Sequence, residues 1–173
     1  MNALPGEVSA LLEASGRAID ALVSGVRSEV ARTPPAPEKW SVNEVLAHLA
    51  DEERNDFRQR IDYMLHRPGE AWPPIHPDRY VREGGFNDQS LDALRTDFLL
   101  ERQKSLAWLA GIQDADWSVS YRHAVDMREY TAASLLCAWA AHDLLHLRQI
   151  ERTLFQHLAR ATEPDRTDYA GEW

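Results

Sequence analysis

Trp40-Ser41-Val42-Asn43-Glu44-Val45-Leu46-Ala47-His48-Leu49 reads as the start of a helix. Ser41 and Glu44 have capping-box spacing, in which each side chain satisfies an amide that the first helical turn leaves open. Trp40 and Val45 stand on either side in the positions of a hydrophobic staple. The spacing predicts a helix from about Val42 to about Leu65, with Leu46, Leu49, Phe57, Ile61 and Met64 on its apolar face. Just upstream, Pro34, Pro35 and Pro37 can neither donate an amide nor continue a turn. They end a first helix expected over 7–32, whose stripe is Val8, Leu11, Leu12, Ile19, Leu22, Val23, Val26 and Val30.

Downstream, the pattern breaks from His66 to Gln89, where Pro68-Gly69, Pro73-Pro74, Pro77 and Gly84-Gly85 leave no room for a long regular element. A helix of ~24 residues is ~36 Å long at 1.5 Å per residue, and two dozen extended residues span that easily. The connection fits either an overhand crossover that leaves helices two and three parallel, or a folded loop at one end. A third helix is expected over 91–110, with Leu91, Leu94, Phe98, Leu106 and Leu109 inward, Ser90 or Asp88 as cap, and Gly111 at its end. Residues 112–130 form an irregular link with room for a short extended piece. Thr131 then suits the N-cap of a fourth helix running to about Leu158, followed by a polar tail from about 159 that Trp173 could anchor. The pattern indicates an all-α fold: one domain over residues 1–173, a four-helix bundle with a long crossover between helices 2 and 3.

The totals exclude several functions. At 173 residues the chain can bury a real core, and its apolar fraction of 44% is ordinary for a globular protein. No apolar run approaches the ~20 residues that span a bilayer. The N-terminus lacks a basic start and an apolar h-region, and the one cysteine, Cys137, has no partner for an internal disulfide. A cytoplasmic location is expected. The formal charge of −9 argues against nucleic acid, although it does not forbid a local basic patch.

The chemistry concentrates in His142-Asp143-Leu144-Leu145-His146. Two histidines four apart lie one above the other on a helix face, close enough to share a metal ion. That face points inward, because Leu135, Trp139, Ile150, Thr153 and His157 follow the same stripe. His48 could meet the pair across the core, and three imidazoles around a divalent ion leave a position for water or substrate. Glu52 follows His48 by one turn, while Asp51 and Asp143 flank the ligands; such carboxylates orient a bound imidazole or accept a proton. The same spacing also occurs on solvated helix faces and in hydrogen-bonded core pairs. It is not the metalloprotease His-Glu-x-x-His motif, because Asp143 and Leu144 occupy the middle positions. His66 and His76 are expected in solvent, His123 near one end of the bundle and His157 as a core or helix-end residue. Cys137 falls opposite the histidine face, where a buried or interface cysteine is expected rather than a nucleophile. Trp108, Trp117 and Trp139 are expected in the core. Trp72, Tyr80 and Phe86 either wall a pocket or pin the crossover down.

The stretch from Trp40 to Leu49, Glu52, and Tyr130-Thr131 leading into His142 to Ile150 resemble the DinB-like superfamily, also called the DinB/YfiT-like metalloenzymes. The similarity covers nearly the whole chain in helix order. It implies a bundle with a long crossover and a divalent metal, often nickel or zinc, held by His48, His142 and His146. It also implies frequent homodimers, while the family name refers to induction by DNA damage and does not imply DNA binding. Superfamily activities include transfer and isomerisation with low-molecular-weight thiols. The leading expectation is therefore a metal-dependent thiol S-transferase acting on a small molecule, with the metal favouring the thiolate and Glu52 or a neighbour receiving the proton. A hydrolase would use the same ligands with water as nucleophile, and a non-enzymatic metal-binding stress protein would use them without turnover.

Overall fold

Four long helical rods form the bundle in the computed structural model, which describes residues 4–164 and 167–171. The first is α1, Leu4–Val23, followed by a single short turn α2, Ser28–Ala31. The second rod is built from α3, Val42–Asp51, a π-helical turn Glu52–Asp56, and α4, Phe57–His66. The crossover contains α5, Pro77–Glu83, and a 3-10 turn at Phe86–Asp88. The third rod is α6, Leu91–Gly111, and the fourth is α7, Ala132–Ala161. Between them β1, Ser120–Arg122, pairs antiparallel with β2, Glu129–Thr131. No helix is long and apolar enough to cross a membrane.

The predicted caps form. Ser41 and Glu44 complete their capping box, Ser90 caps α6, and Thr131 with Ser134 caps α7. The first helix is shorter than its stripe suggested. It stops at Val23, because Ser24-Gly25 breaks the rod: glycine loses the most backbone freedom in a helix and Arg27 is extended. Val30 still reaches the core, through the separate turn, whereas Leu11 is 42% exposed. Cys137 is exposed rather than buried. Trp117 and Trp139 are buried as expected, and Trp108 is half-buried. Trp173 lies outside the described residues.

Hydrogen bonds along the rods settle the path of the crossover. Asn43 Nδ2 donates to the carbonyls of Phe86 and Gln89, at 3.1 and 3.2 Å. Farther on, Arg54 pairs with Asp97, and Arg58 with Glu101 at 3.1 Å. Both numberings rise together, so the second and third rods run parallel and the connection is the overhand one. Against them, Arg95 meets Asp20 and Arg102 meets Leu12, which makes α1 antiparallel to α6. The crossover's aromatics hold it down. Phe86 joins the core beside Tyr80, and Trp72 stacks on Tyr121 of the hairpin at 4.2 Å.

At the bundle centre Arg102, 3% exposed, is shared by two buried carboxylates. Its Nη2 donates to Glu53 Oε1 and to Asp143 Oδ1, at 2.6 and 2.8 Å, and its Nη1 to Asp143 Oδ2 at 2.6 Å. It also donates to the Leu12 carbonyl at 2.5 Å, while Ser15 donates to Asp143 and Trp139 Nε1 to Glu53 at 2.9 Å. Burial opposes the charge on Arg102, but Asp143 and Glu53 outweigh it and hold the guanidinium ionised. Burial pushes the Glu53 carboxyl up against the pull of Arg102. The sequence reading placed Asp143 beside the histidines as a possible partner. Its side chain instead faces Arg102.

Arg102→Met leaves Glu53 and Asp143 buried without a counter-charge. It is expected to destabilise the fold by about 3–5 kcal/mol, seen as a lower midpoint in chemical denaturation and a Tm lower by roughly 10 °C. Cys137→Ser, at an exposed position, should leave both within error.

Candidate metal centre

The π-helical turn in the second rod sets up the site. Phe57 N–H bonds to the Glu52 carbonyl, five residues back, in place of the usual four. The wider turn lets Glu52 and Glu53, adjacent in sequence, both be buried. Glu53 reaches Arg102, while Glu52 stays one turn beyond His48, with Oε1 3.5 Å from His48 Nδ1. Asp56, also buried, sits one turn farther along.

The structure brings His48, His142 and His146 together, with ligand atoms within 4.8 Å of one another. His142 Nε2 lies 3.2 Å from His48 Nε2 and 3.1 Å from His146 Nε2. Among the described residues, no fourth His, Cys, Asp or Glu joins them. His146 Nδ1 is 2.8 Å from Gln149 Oε1, an acceptor, which assigns the proton to Nδ1 and leaves the Nε2 lone pair facing its neighbours. The rings are walled by aromatics. Trp40 is 4.8 Å from His48 and lies parallel to His146 at 6.2 Å, while Phe57 is 5.3 Å from His142.

These surroundings keep the imidazoles neutral. Burial, with His146 and His142 adding to it, lowers the His48 pKa to about 2, and burial beside His146 and Arg102 lowers that of His142 to about 3. Burial also lowers His146, against the opposing hydrogen bond that its Nδ1 donates to Gln149. Neutral imidazole is the form that binds a metal. The spacing fits as well: at metal–nitrogen bonds of about 2.0–2.1 Å, the observed separations correspond to angles of about 100° at a common centre. Three ring nitrogens lie within reach of one common centre, and two of the rings, His48 and His142, keep a buried Nδ1 with no hydrogen-bond partner among the described residues, so the donor set suits a divalent ion.

Glu52 is raised far above the usual carboxylate range by burial, then by Asp56 and Asp51. It donates a hydrogen bond to Asp56, whose pKa burial also raises although this bond opposes the shift. Arg60 Nε lies 2.6 Å from Asp56 Oδ1 as an ion pair, at an angle outside that of a hydrogen bond. Asp51 turns away from the histidines and accepts from Asn55 Nδ2 at 2.6 Å. His66 and His76 are exposed, and His157 is half-buried. His123 stands beside Trp72 in the hairpin cluster. Sequence reasoning missed Asp56, Gln149 and the pairing of Glu53 with Arg102. The available signal was charge on an apolar stripe: Glu53 lies between Leu49 and Phe57, and Arg102 between Phe98 and Leu109.

The sequence model of the DinB superfamily matches residues 11–150, which include all three histidines. A solved structure of YfiT from Bacillus subtilis, described as a probable metal-dependent hydrolase with an unusual four-helix bundle topology, shares the fold. Its TM-score is 0.78 at 17% identity, covering 88% of this chain and 87% of that one. No curated protein matches in sequence.

Elemental analysis of untagged protein should find about one divalent ion per chain, lost in His48→Ala, His142→Ala and His146→Ala. Gln149→Leu, which removes the partner of His146 Nδ1, should weaken metal affinity about 10–100-fold. A separate expectation concerns Glu52 in the metal-free protein. Its carboxyl stays protonated when folded but ionises when unfolded, so folding takes up a proton and stability falls as pH rises through and above the carboxylate range. Metal-free Glu52→Gln should therefore unfold at a higher temperature than wild type, by a margin that grows from about pH 5 to about pH 8.

Proposed function

The chain belongs to the DinB superfamily, and on that premise we propose that it is a divalent-metal-dependent hydrolase of a small molecule. His48, His142 and His146 are the proposed ligands, zinc or nickel the proposed ion, and Glu52 the proposed proton acceptor. The observation that carries this reading is the convergence of three neutral imidazole nitrogens beside a buried acidic pair. When bound, the ion supplies a Lewis acid that polarises a substrate carbonyl and acidifies whatever occupies its open position, and its charge favours the ionised form of Glu52.

The chain's own residues do the rest. Gln149 holds His146 in one tautomer and ring orientation. Trp40 and Phe57 exclude water from the imidazoles and keep the local dielectric low. Glu52 lies a turn from His48 and can take a proton on its carboxylate, and its hydrogen bond to Asp56 spreads that proton over two carboxyls. This pair is what favours water over a thiol as nucleophile. Water is a far weaker acid than a thiol, so water as the nucleophile would gain more from Glu52 standing beside the histidines as base.

Zinc- and nickel-loaded protein assayed with activated esters and anilides should show saturable hydrolysis. Glu52→Gln is expected to lower kcat/KM about 10²–10⁴-fold, and His142→Ala to abolish it together with the metal. Absence of hydrolysis from both metal forms would overturn the reading. Turnover of an electrophile only when glutathione, mycothiol or bacillithiol is added would identify a thiol S-transferase in its place.

A further inference from the structure

A groove of about 790 Å³ runs between the segment before α3 and the exposed side of α7. Lys39, Arg148 and Arg152 line it, and no carboxylate does. In a chain of net charge −9 that is a local reversal of sign. The arginines between the rods are committed to acids, Arg54 to Asp97, Arg58 to Glu101, Arg95 to Asp20, Arg102 to Glu53 and Asp143, whereas others such as Arg27, Arg122 and Arg128 form no ion pair among the described residues but do not line this groove. Among the described residues, Lys39, Arg148 and Arg152 form no ion pair, and Arg148 and Arg152 stand four apart on one helix, where like charges repel. A neighbouring groove that shares Lys39 and Trp40 differs in carrying Glu38, Glu44 and Asp78.

The cationic groove adjoins the histidine cluster through two shared side chains. Gln149 and Trp40 line it, and these are the hydrogen-bond partner and the parallel ring of His146. Leu145, 54% exposed, adds an apolar surface beside Trp40. The volume lies in the usual range of small-molecule sites, ~300–1,000 Å³. We propose that Lys39, Arg148 and Arg152 bind the oxyanion, carboxylate or phosphate, of a small molecule whose apolar part rests on Trp40 and Leu145 and whose reactive end reaches the three histidines. The last clause rests on the proposed function; the anion site itself does not.

The test is calorimetry on metal-free protein, so that no ion can bind the probe. Benzylphosphonate and phenylacetate supply a ring with a phosphonate or a carboxylate, and benzyl alcohol is the neutral comparator. Saturable binding of at least one anion, at least tenfold tighter than the alcohol and weakening with added sodium chloride, is expected. Preference for one of the two anions identifies which oxyanion the groove takes. Arg148→Gln/Arg152→Gln should weaken anion binding at least tenfold, with Lys39→Gln as an independent second variant. Both should keep the wild-type Tm and metal content, whereas Arg128→Gln in the hairpin should change nothing. Equal affinity for anion and alcohol, or anion affinity unchanged in the folded double variant, would overturn the proposal. Charge-dependent binding that persists in His142→Ala supports it even if the loaded protein hydrolyses nothing, which separates its failure from that of the hydrolase reading.

Discussion

Arg102, out of water between Glu53 and Asp143, is the contact on which the histidine cluster depends. A guanidinium at that depth is tolerated only with its hydrogen bonds met, and here they come from three rods: Glu53 on the second, Asp143 on α7 and the Leu12 carbonyl on α1. Glu53 is the neighbour of Glu52, and Asp143 is the neighbour of His142. Slipping either helix by one residue would strand a buried charge, so the pairing fixes the rotation and height at which His48, Glu52, His142 and His146 face each other. Buried ion pairs contribute more to such registration than to net stability when compared with apolar replacements. The wider turn at Glu52–Asp56 serves the same arrangement, since it allows two consecutive glutamates to be buried toward different partners.

The site is electrically quiet within a strongly acidic chain. Its imidazoles are held neutral by burial and by one another, and its nearest carboxyl is held protonated by burial and Asp56. An arriving dication thus meets lone pairs and a proton that can leave, rather than charges already neutralised by partners. Around it the charges are sorted, with paired arginines across the rods and three unpaired cations gathered beside Trp40 and Gln149. In such a field an acidic protein can still attract an anionic molecule to one place.

Much of the bundle was legible because its signals are local. Caps at Ser41, Ser90 and Thr131, the prolines after the first helix and the apolar stripes all concern residues within a turn or two of each other. The one helix misjudged in length shows the limit of periodicity. Val26 and Val30 continue the stripe of α1, yet Ser24-Gly25 interrupts the rod and Val30 is buried through a separate turn. Apolar spacing records which residues face inward, and it reads the same whether the backbone is continuous or broken. Charged residues on a stripe, such as Glu53 and Arg102, read as solvated until a partner from another helix is known.

The sequence alone therefore determined where the helices begin and that His142 and His146 share a face, because spacing of four on a helix is a property of the local backbone. It also brought His48 and Glu52 within a turn of each other. Only the tertiary structure decided that His48 meets the pair at 3.2 Å, that the crossover leaves two rods parallel, and that Asp143 serves Arg102 rather than a histidine. It alone gathered Lys39, Arg148 and Arg152 around one groove. The reason is physical: which faces of separate helices meet is set by packing, by the π turn and by the pairing of buried charge, and none of these is written in the spacing of any single segment.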